Sequence, residues 1–192
     1  MTNGEFILAS GSPRRRQLLS SFGIPFGVVP PQVEEVPLAG EAPPDFVLRA
    51  AGDKGAEVAR RCGDGVVLAA DTVVSIDGRI LGKPRDAAMA RDMLGSLAGR
   101  VHSVYTAVHL IDSRGGRTFR DIDETRVWFR DLAPGEVDAC LLGESVMDKA
   151  GAYAIQGAAS RFIPRIEGNY SNVVGLPLPV VFDLIRRAGV LG

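Results

Sequence analysis

Cysteine, histidine and net charge are all scarce in this chain. Cys62 and Cys140 are the two cysteines among 192 residues. They form no metal-ligand spacing and are too few for a disulfide framework, so a reduced, cytoplasmic setting is expected. The two histidines, His102 and His109, fall on one expected strand at an odd spacing and face opposite sides, which argues against a His-based metal pair. The formal charge is −1 at pH 7. No global basic field exists to hold DNA or RNA, so any basic chemistry must be local. No apolar run reaches the length of a membrane span, and Met1-Thr2-Asn3-Gly4-Glu5 lacks the basic start and apolar core of a signal peptide. Also missing are G-x-x-x-x-G-K-[ST] and G-x-G-x-x-G, which argues against P-loop kinases, ATPases and Rossmann oxidoreductases. No G-x-S-x-G elbow supports a hydrolase triad.

What the chain has in quantity is core. Hydrophobic residues make up 46% of it, enough for one domain over residues 1–192 with a sizeable interior. Phe6 to Ser10 reads as a buried strand that breaks at Gly11 into a helix capped by Ser12, with Pro13 in its first turn. A strand-like stretch runs from Ile24 to Val29, and Pro43-Pro44-Asp45 opens a helix reaching about Arg61. Val66 to Ile76 is a long apolar strand, turned by Asp77-Gly78 into a return strand from Arg79 to Leu81. Asp86 caps a helix with Met89, Met93, Leu94 and Leu97 on one face. Val101 to Ile111 and Thr118 to Phe129 read as paired strands, and Pro134 opens a short helix. From Asp148 to Pro177 the glycines permit short strands and loops, before a last helix from Pro179 to Ala188. Strands alternating with helices define an α/β class. The interrupting hairpins imply a mixed, twisted sheet with flanking helices.

Four features set charge or polarity against this apolar pattern. Arg14, Arg15 and Arg16 follow the Ser12 cap within the first helical turn. Cations there are unfavourable by roughly 0.3–1 kcal/mol each, so their placement calls for an anion, which bidentate guanidinium–phosphate contacts would match. A solvated basic helix face is the plainer alternative. Asp71 interrupts a strand too apolar to be half exposed. It is either a structural aspartate bonded to neighbouring backbone, or a catalytic base or metal ligand. Lys54 recurs with Val47, Ala51 and Val58 at helical spacing, so it lies on the apolar stripe and must either snorkel to water or meet an anion. Lys83, in the short rigid turn Gly82-Lys83-Pro84, raises a similar question. In Asp148-Lys149-Ala150-Gly151-Ala152-Tyr153-Ala154-Ile155-Gln156-Gly157, the glutamine amide offers a donor and an acceptor to a flat ligand, or serves as a bonded core glutamine.

These residues carry a family resemblance. Leu8-Ala9-Ser10-Gly11-Ser12-Pro13-Arg14-Arg15, Ala70-Asp71-Thr72-Val73-Val74, Gly82-Lys83-Pro84, His102-Ser103-Val104-Tyr105-Thr106, the Asp148–Gln156 segment and Asn172-Val173-Val174-Gly175-Leu176-Pro177 resemble, in order, the motifs of the Maf family of nucleotide pyrophosphatases. The resemblance implies cleavage between the α- and β-phosphates of a nucleoside triphosphate, dependence on Mg²⁺ or Mn²⁺, and a homodimer. The implied fold is an elongated α/β structure with its cleft between two lobes, like that of the inosine-triphosphate pyrophosphatases. Asp71 matches the family's proton acceptor, and Arg14, Thr72 and Gln156 match positions that set substrate choice. Ser12, Arg15, Glu34 or Glu35, Lys54 and Lys83 match the other polar site positions. The Ala150–Gly157 stretch resembles the branch acting on dTTP and UTP, whose neutral base edge suits a glutamine amide better than a carboxylate. Gly55, where the family usually has alanine, costs roughly 1 kcal/mol in mid-helix and is expected to loosen it.

The mechanism this implies puts Arg14, Arg15, Lys54 and Lys83 on the triphosphate, and a metal on Asp71 or Glu34/Glu35. Asp71 activates a water for attack on the α-phosphorus. Rival readings are a non-catalytic nucleotide-binding regulator of septum formation and a 7-methyl-GTP pyrophosphatase. Nucleic acid and membrane are not expected partners.

Overall fold

The computed structural model describes residues 5–142 and 146–190. Residues 1–4, on which the reading of the N-terminus rested, lie outside that set. Seven strands form one mixed sheet: β1 (Glu5–Ala9), β2 (Gly27–Val28), β3 (Gly65–Ile76), β4 (Arg79–Leu81), β5 (Val101–Asp112), β6 (Arg117–Trp128) and β7 (Arg165–Glu167). Their order is β2-β1-β3-β5-β6-β7, with β4 also paired to β3. The β1–β2 and β1–β3 pairs are parallel and the others antiparallel. Six helices flank the sheet: α1 (Pro13–Ser20), α2 (Pro43–Cys62), α3 (Ala87–Leu97), α4 (Pro134–Leu142), α5 (Tyr170–Val174) and α6 (Leu178–Ala188). No helix among the described residues is long and apolar enough to cross a membrane.

Alternation along β3 assigns its two faces. Val67, Ala69 and Val73 pack against Val47, Ala51 and Val58 of α2, so odd positions face that helix. Even positions face two separate cores. Val66, Leu68 and Ala70 join Leu19 of α1 and Leu184 and Ile185 of α6. Val74 and Ile76 join Leu94 of α3, Val137 of α4 and Phe162. Both faces of β3 are covered, which is why its sequence is a continuous apolar run rather than an alternating one.

Three expectations need correction. The strand expected over Ile24–Val29 shrinks to Gly27–Val28, because Pro25 has no N–H to give a ladder. Ile24 and Phe26 pack instead onto the core beneath α1 and α6. Tyr170–Val174, expected to be loop or strand, is a short helix. Asn169 caps it, its side-chain oxygen accepting from the Ser171 N–H at 2.9 Å. Gly55, expected as a weak point of α2, lies within an unbroken helix. A Cβ there would stand 3.1 Å from Cδ1 of Ile111 and 3.3 Å from Cβ of Ala69, so the missing side chain lets the helix press onto the sheet.

Candidate active site

A fork in the sheet creates the site. β1 pairs with β3 as far as Ala9↔Ala69, and β4 takes the same edge of β3 from Leu81↔Val74 onward. On that edge residues 70–73 have neither neighbour, while β5 continues along the other side. β1 runs parallel to β3 and β4 antiparallel, so their carboxyl ends point at each other across Asp71 and Thr72. Loops leaving strand carboxyl ends are where open α/β sheets bind ligands. Here the Ser10–Arg15 and Gly82–Lys83 segments, with residues 148–156 and 173–175, enclose a cleft of about 930 Å³.

On the α2 face the cleft is ionic. Lys54 is 4% exposed and Asp71 3%, so neither reaches bulk water, and the snorkelling reading of Lys54 is set aside. The Lys54 ammonium donates to Asp71 Oδ1 at 2.5 Å and lies 2.8 Å from Glu35 Oε1. Lys83, mostly exposed, stands 3.7 Å from Glu35 Oε2. Burial acts to raise the Glu35 pKa, but the charge and hydrogen bond of Lys54, with Lys83 and Arg15, outweigh it and hold the carboxyl below its usual range. Glu35 therefore joins the network. Glu34 and Glu35 both line the cleft and both are exposed, and it is Glu35 that the structure brings to Lys54 and Lys83.

On the opposite face the cleft is held by hydrogen bonds to neutral acceptors. Arg15 donates from Nε to the Gly175 carbonyl at 2.8 Å and from Nη2 to Thr72 Oγ1 at 2.9 Å. Thr72 Oγ1 is 2.9 Å from Thr106 Oγ1, which donates to the Asn172 carbonyl at 3.0 Å. The Asn172 amide in turn donates to Val104 O and Thr125 Oγ1, each at 2.9 Å. Burial lowers the pKa of Arg15, opposed by the charges of Asp71 and Glu35. Ser12 caps α1 as expected, its hydroxyl accepting from the Arg15 N–H at 3.4 Å. Since Pro13 has no N–H and the Arg16 N–H goes to Ser12 O, the helix terminus itself has little left to offer an anion. The Arg14 and Arg15 side chains, which also line the cleft, are the cations at this end of it.

The cleft mouth is formed by the late segment. Arg14 Nη1 lies 3.5 Å from Asp148 Oδ2, and Arg16 points to solvent. Gln156 is exposed on the cleft wall, which sets aside its reading as a core glutamine. Lys149 is a cleft residue that sequence reasoning missed. It is buried and bonded to Asp148 at 2.9 Å, and its position after an aspartate gave no periodicity to flag it. Five cations and four carboxylates line the cleft, so it is near neutral when empty, and a triphosphate would bring a large excess of negative charge.

That excess bears on the metal. Among the described residues no group of three His, Cys, Asp or Glu could hold an ion, so Glu34, Glu35 and Asp71 are not gathered into one cage. Asp71 and Glu35 nonetheless converge on one point, the Lys54 ammonium. Two hard oxygen donors across the cleft from the arginines of α1 suit an ion such as Mg²⁺, which commonly takes one or two carboxylates and completes its shell with phosphate and water.

A cleft lined by five cations and four carboxylates at the convergent carboxyl ends of two strands, with the buried Asp71 at its floor, gives an α/β fold whose site suits a phosphorylated ligand. The comparisons place it more closely. The family model described as Maf-like protein matches residues 5–188. The chain is 49% identical over 187 residues to a dTTP/UTP pyrophosphatase of Methylococcus capsulatus, covering 97% of this chain and 92% of that one. It is 48% identical to the dTTP/UTP pyrophosphatase of Geotalea uraniireducens (96% and 95% covered), and 44% identical to that of Citrifermentans bemidjiense along the full length of both. The chain belongs to the Maf-like protein family.

Proposed function

We propose that this chain is a nucleoside triphosphate pyrophosphatase that hydrolyses dTTP and UTP to the monophosphate and pyrophosphate. The observation that carries the reading is the Asp71–Lys54–Glu35 network at the fork of the sheet, with Asp71 and Lys54 buried, faced by the arginines of α1. The similarity to the dTTP/UTP pyrophosphatases supports the substrate. A homodimer, a cytoplasmic setting and a house-cleaning role on modified pyrimidine nucleotides belong to the same proposal.

In this mechanism Arg14, Arg15 and Lys83 bind the phosphate chain. Lys54 fixes the orientation of Asp71, which takes a proton from a water poised at the α-phosphorus. The water oxygen bonds to that phosphorus as the bond to the bridging oxygen breaks, and pyrophosphate leaves with the electron pair. Lys54 and Lys83 meet the charge that develops on the leaving side. Mg²⁺ or Mn²⁺, held by Asp71 and Glu35 with phosphate oxygens, would supply Lewis-acid stabilisation of that charge. Thr72 and Gln156 face the nucleoside, with the Gln156 amide reading the base edge.

A substrate panel tests this. With Mg²⁺ or Mn²⁺, UTP, dTTP, 5-methyl-UTP and pseudo-UTP should each release one pyrophosphate per monophosphate, ahead of CTP and 7-methyl-GTP. Release of inorganic phosphate would contradict the cleavage site. Tight nucleotide binding without turnover would favour the regulator of septum formation.

A further inference from the structure

The segment that carries Gln156 is held from behind by a pair that the mechanism leaves unused. Tyr153 lines the cleft three residues before Gln156, and its hydroxyl lies 2.7 Å from Nε2 of His102 on β5. Both residues are buried. Phe129 packs edge-on against the Tyr153 ring, with centroids 5.1 Å apart, and sits 5.5 Å from the His102 ring. Burial drives the His102 pKa down to about 4, so the imidazole is neutral at physiological pH.

A neutral imidazole has one N–H, and that constrains the pair. His102 Nδ1 has no hydrogen-bond partner among the described residues. If the Tyr153 hydroxyl donates to Nε2, the proton on Nδ1 is buried unpaired. If Nε2 donates instead, Nδ1 is an orphan acceptor and the tyrosine proton is unused. Either tautomer buries an unsatisfied polar atom, which two apolar side chains of similar shape would avoid. The hydrogen bond is therefore poorly explained by stability and better explained by position.

The backbone beside it needs positioning. Gly151 has φ 69°, and a Cβ there would lie 3.0–3.1 Å from Val74. Ala152 also has a left-handed φ of 59°, unfavourable for a residue with a side chain. The Gly151 N–H donates to the Gly82 carbonyl at 3.1 Å, next to Lys83. One strained turn thus joins the phosphate side of the cleft to the base side, and Tyr153 is its anchor in the core.

We propose that His102 and Tyr153 form a positioning pair whose hydrogen bond sets where Gln156 stands in the cleft, and so sets discrimination among nucleobases. The proposal rests on the reading of Gln156 as a base contact.

The test is the ratio of kcat/KM for UTP over CTP, which cancels any loss of folded enzyme because both values come from one preparation. Tyr153→Phe keeps the ring against Phe129 and deletes the hydroxyl. It should narrow the ratio about tenfold, chiefly through KM for UTP. His102→Leu should do the same, while His102→Gln, whose amide can still donate to the tyrosine oxygen, should keep most of the preference. Should Tyr153→Phe fail to fold, the two His102 variants decide the matter. Unchanged ratios in Tyr153→Phe and His102→Leu, or equal losses in His102→Leu and His102→Gln, would overturn the proposal. Gln156→Ala run alongside separates the two layers: if it leaves the ratio unchanged, the base reading itself fails.

Discussion

Asp71 and Thr72 are adjacent on β3, yet their side chains leave the strand on opposite faces and meet opposite chemistry. Asp71 enters an ionic cluster against α2, buried with Lys54 and reaching out to the more exposed Glu35. Thr72 enters a chain of hydrogen bonds to neutral acceptors that runs from the Arg15 guanidinium through Thr106 to Asn172. The strand's period of two is enough to separate them. Charges in a desolvated cluster respond strongly to a nearby phosphate and can move protons. A hydrogen-bond chain has fixed partners, and this one holds β3, β5, β6 and α5 in register around the cleft. In the proposed mechanism proton transfer sits on one face of the sheet, and scaffolding with the substrate contacts of Arg15 and Thr72 on the other.

Substitutions can break this division, and the largest effect belongs on the ionic side. Asp71→Asn should keep the fold and lower kcat for UTP by about 10²–10⁴-fold, as expected for loss of a general base. Steady-state turnover on protein whose far-UV circular dichroism matches wild type checks it. Lys54→Met removes the shared cation and leaves two carboxylates facing each other. Denaturant unfolding should show a loss of about 3–5 kcal/mol, the usual result of removing one member of a buried ion cluster.

The titration of His102 gives a third contrast, since it lies on the scaffolding face. Its pKa falls from 6.5 to about 4 on folding, through burial. Below about pH 6.5 the unfolded chain takes up a proton that the folded chain refuses, so stability declines as pH falls toward 4. The total across that window is about 3 kcal/mol. Melting temperature followed from pH 7 to 4 should fall more steeply in wild type than in His102→Leu. Thr106→Val is the mildest change. It leaves Thr72 and the Asn172 carbonyl short of a partner and should cost about 1–3 kcal/mol. Thr106→Ser should restore most of it, with kcat less affected than in Asp71→Asn.

Much of this division was legible in the sequence. A lone aspartate in the run Val66–Ile76 and a lysine in phase with Val47, Ala51 and Val58 mark two buried charges, and two buried charges of opposite sign should meet. The Ser12–Pro13 helix start and the hairpin at Asp77-Gly78 follow from local turn and cap chemistry. What could not be read depends on tertiary register. Glu34 and Glu35 are neighbours in an irregular stretch with no period to choose between them, and only the approach of Lys54 and Lys83 selects Glu35. Gly55 looks like a defect until Ile111 and Ala69 are brought beneath it. His102 and Tyr153 are 51 residues apart in sequence, and neither lies in a pattern that announces the other. The fork itself depends on which edge of β3 the strands β1 and β4 choose, a pairing that local propensity does not encode.

The most direct test of a water attacking the α-phosphorus from the Asp71 side is hydrolysis of UTP in water enriched in oxygen-18, with both products analysed by mass spectrometry. The account predicts the heavy oxygen in the uridine monophosphate and none in the pyrophosphate. Label in the pyrophosphate would place the attack on the β-phosphorus and contradict it.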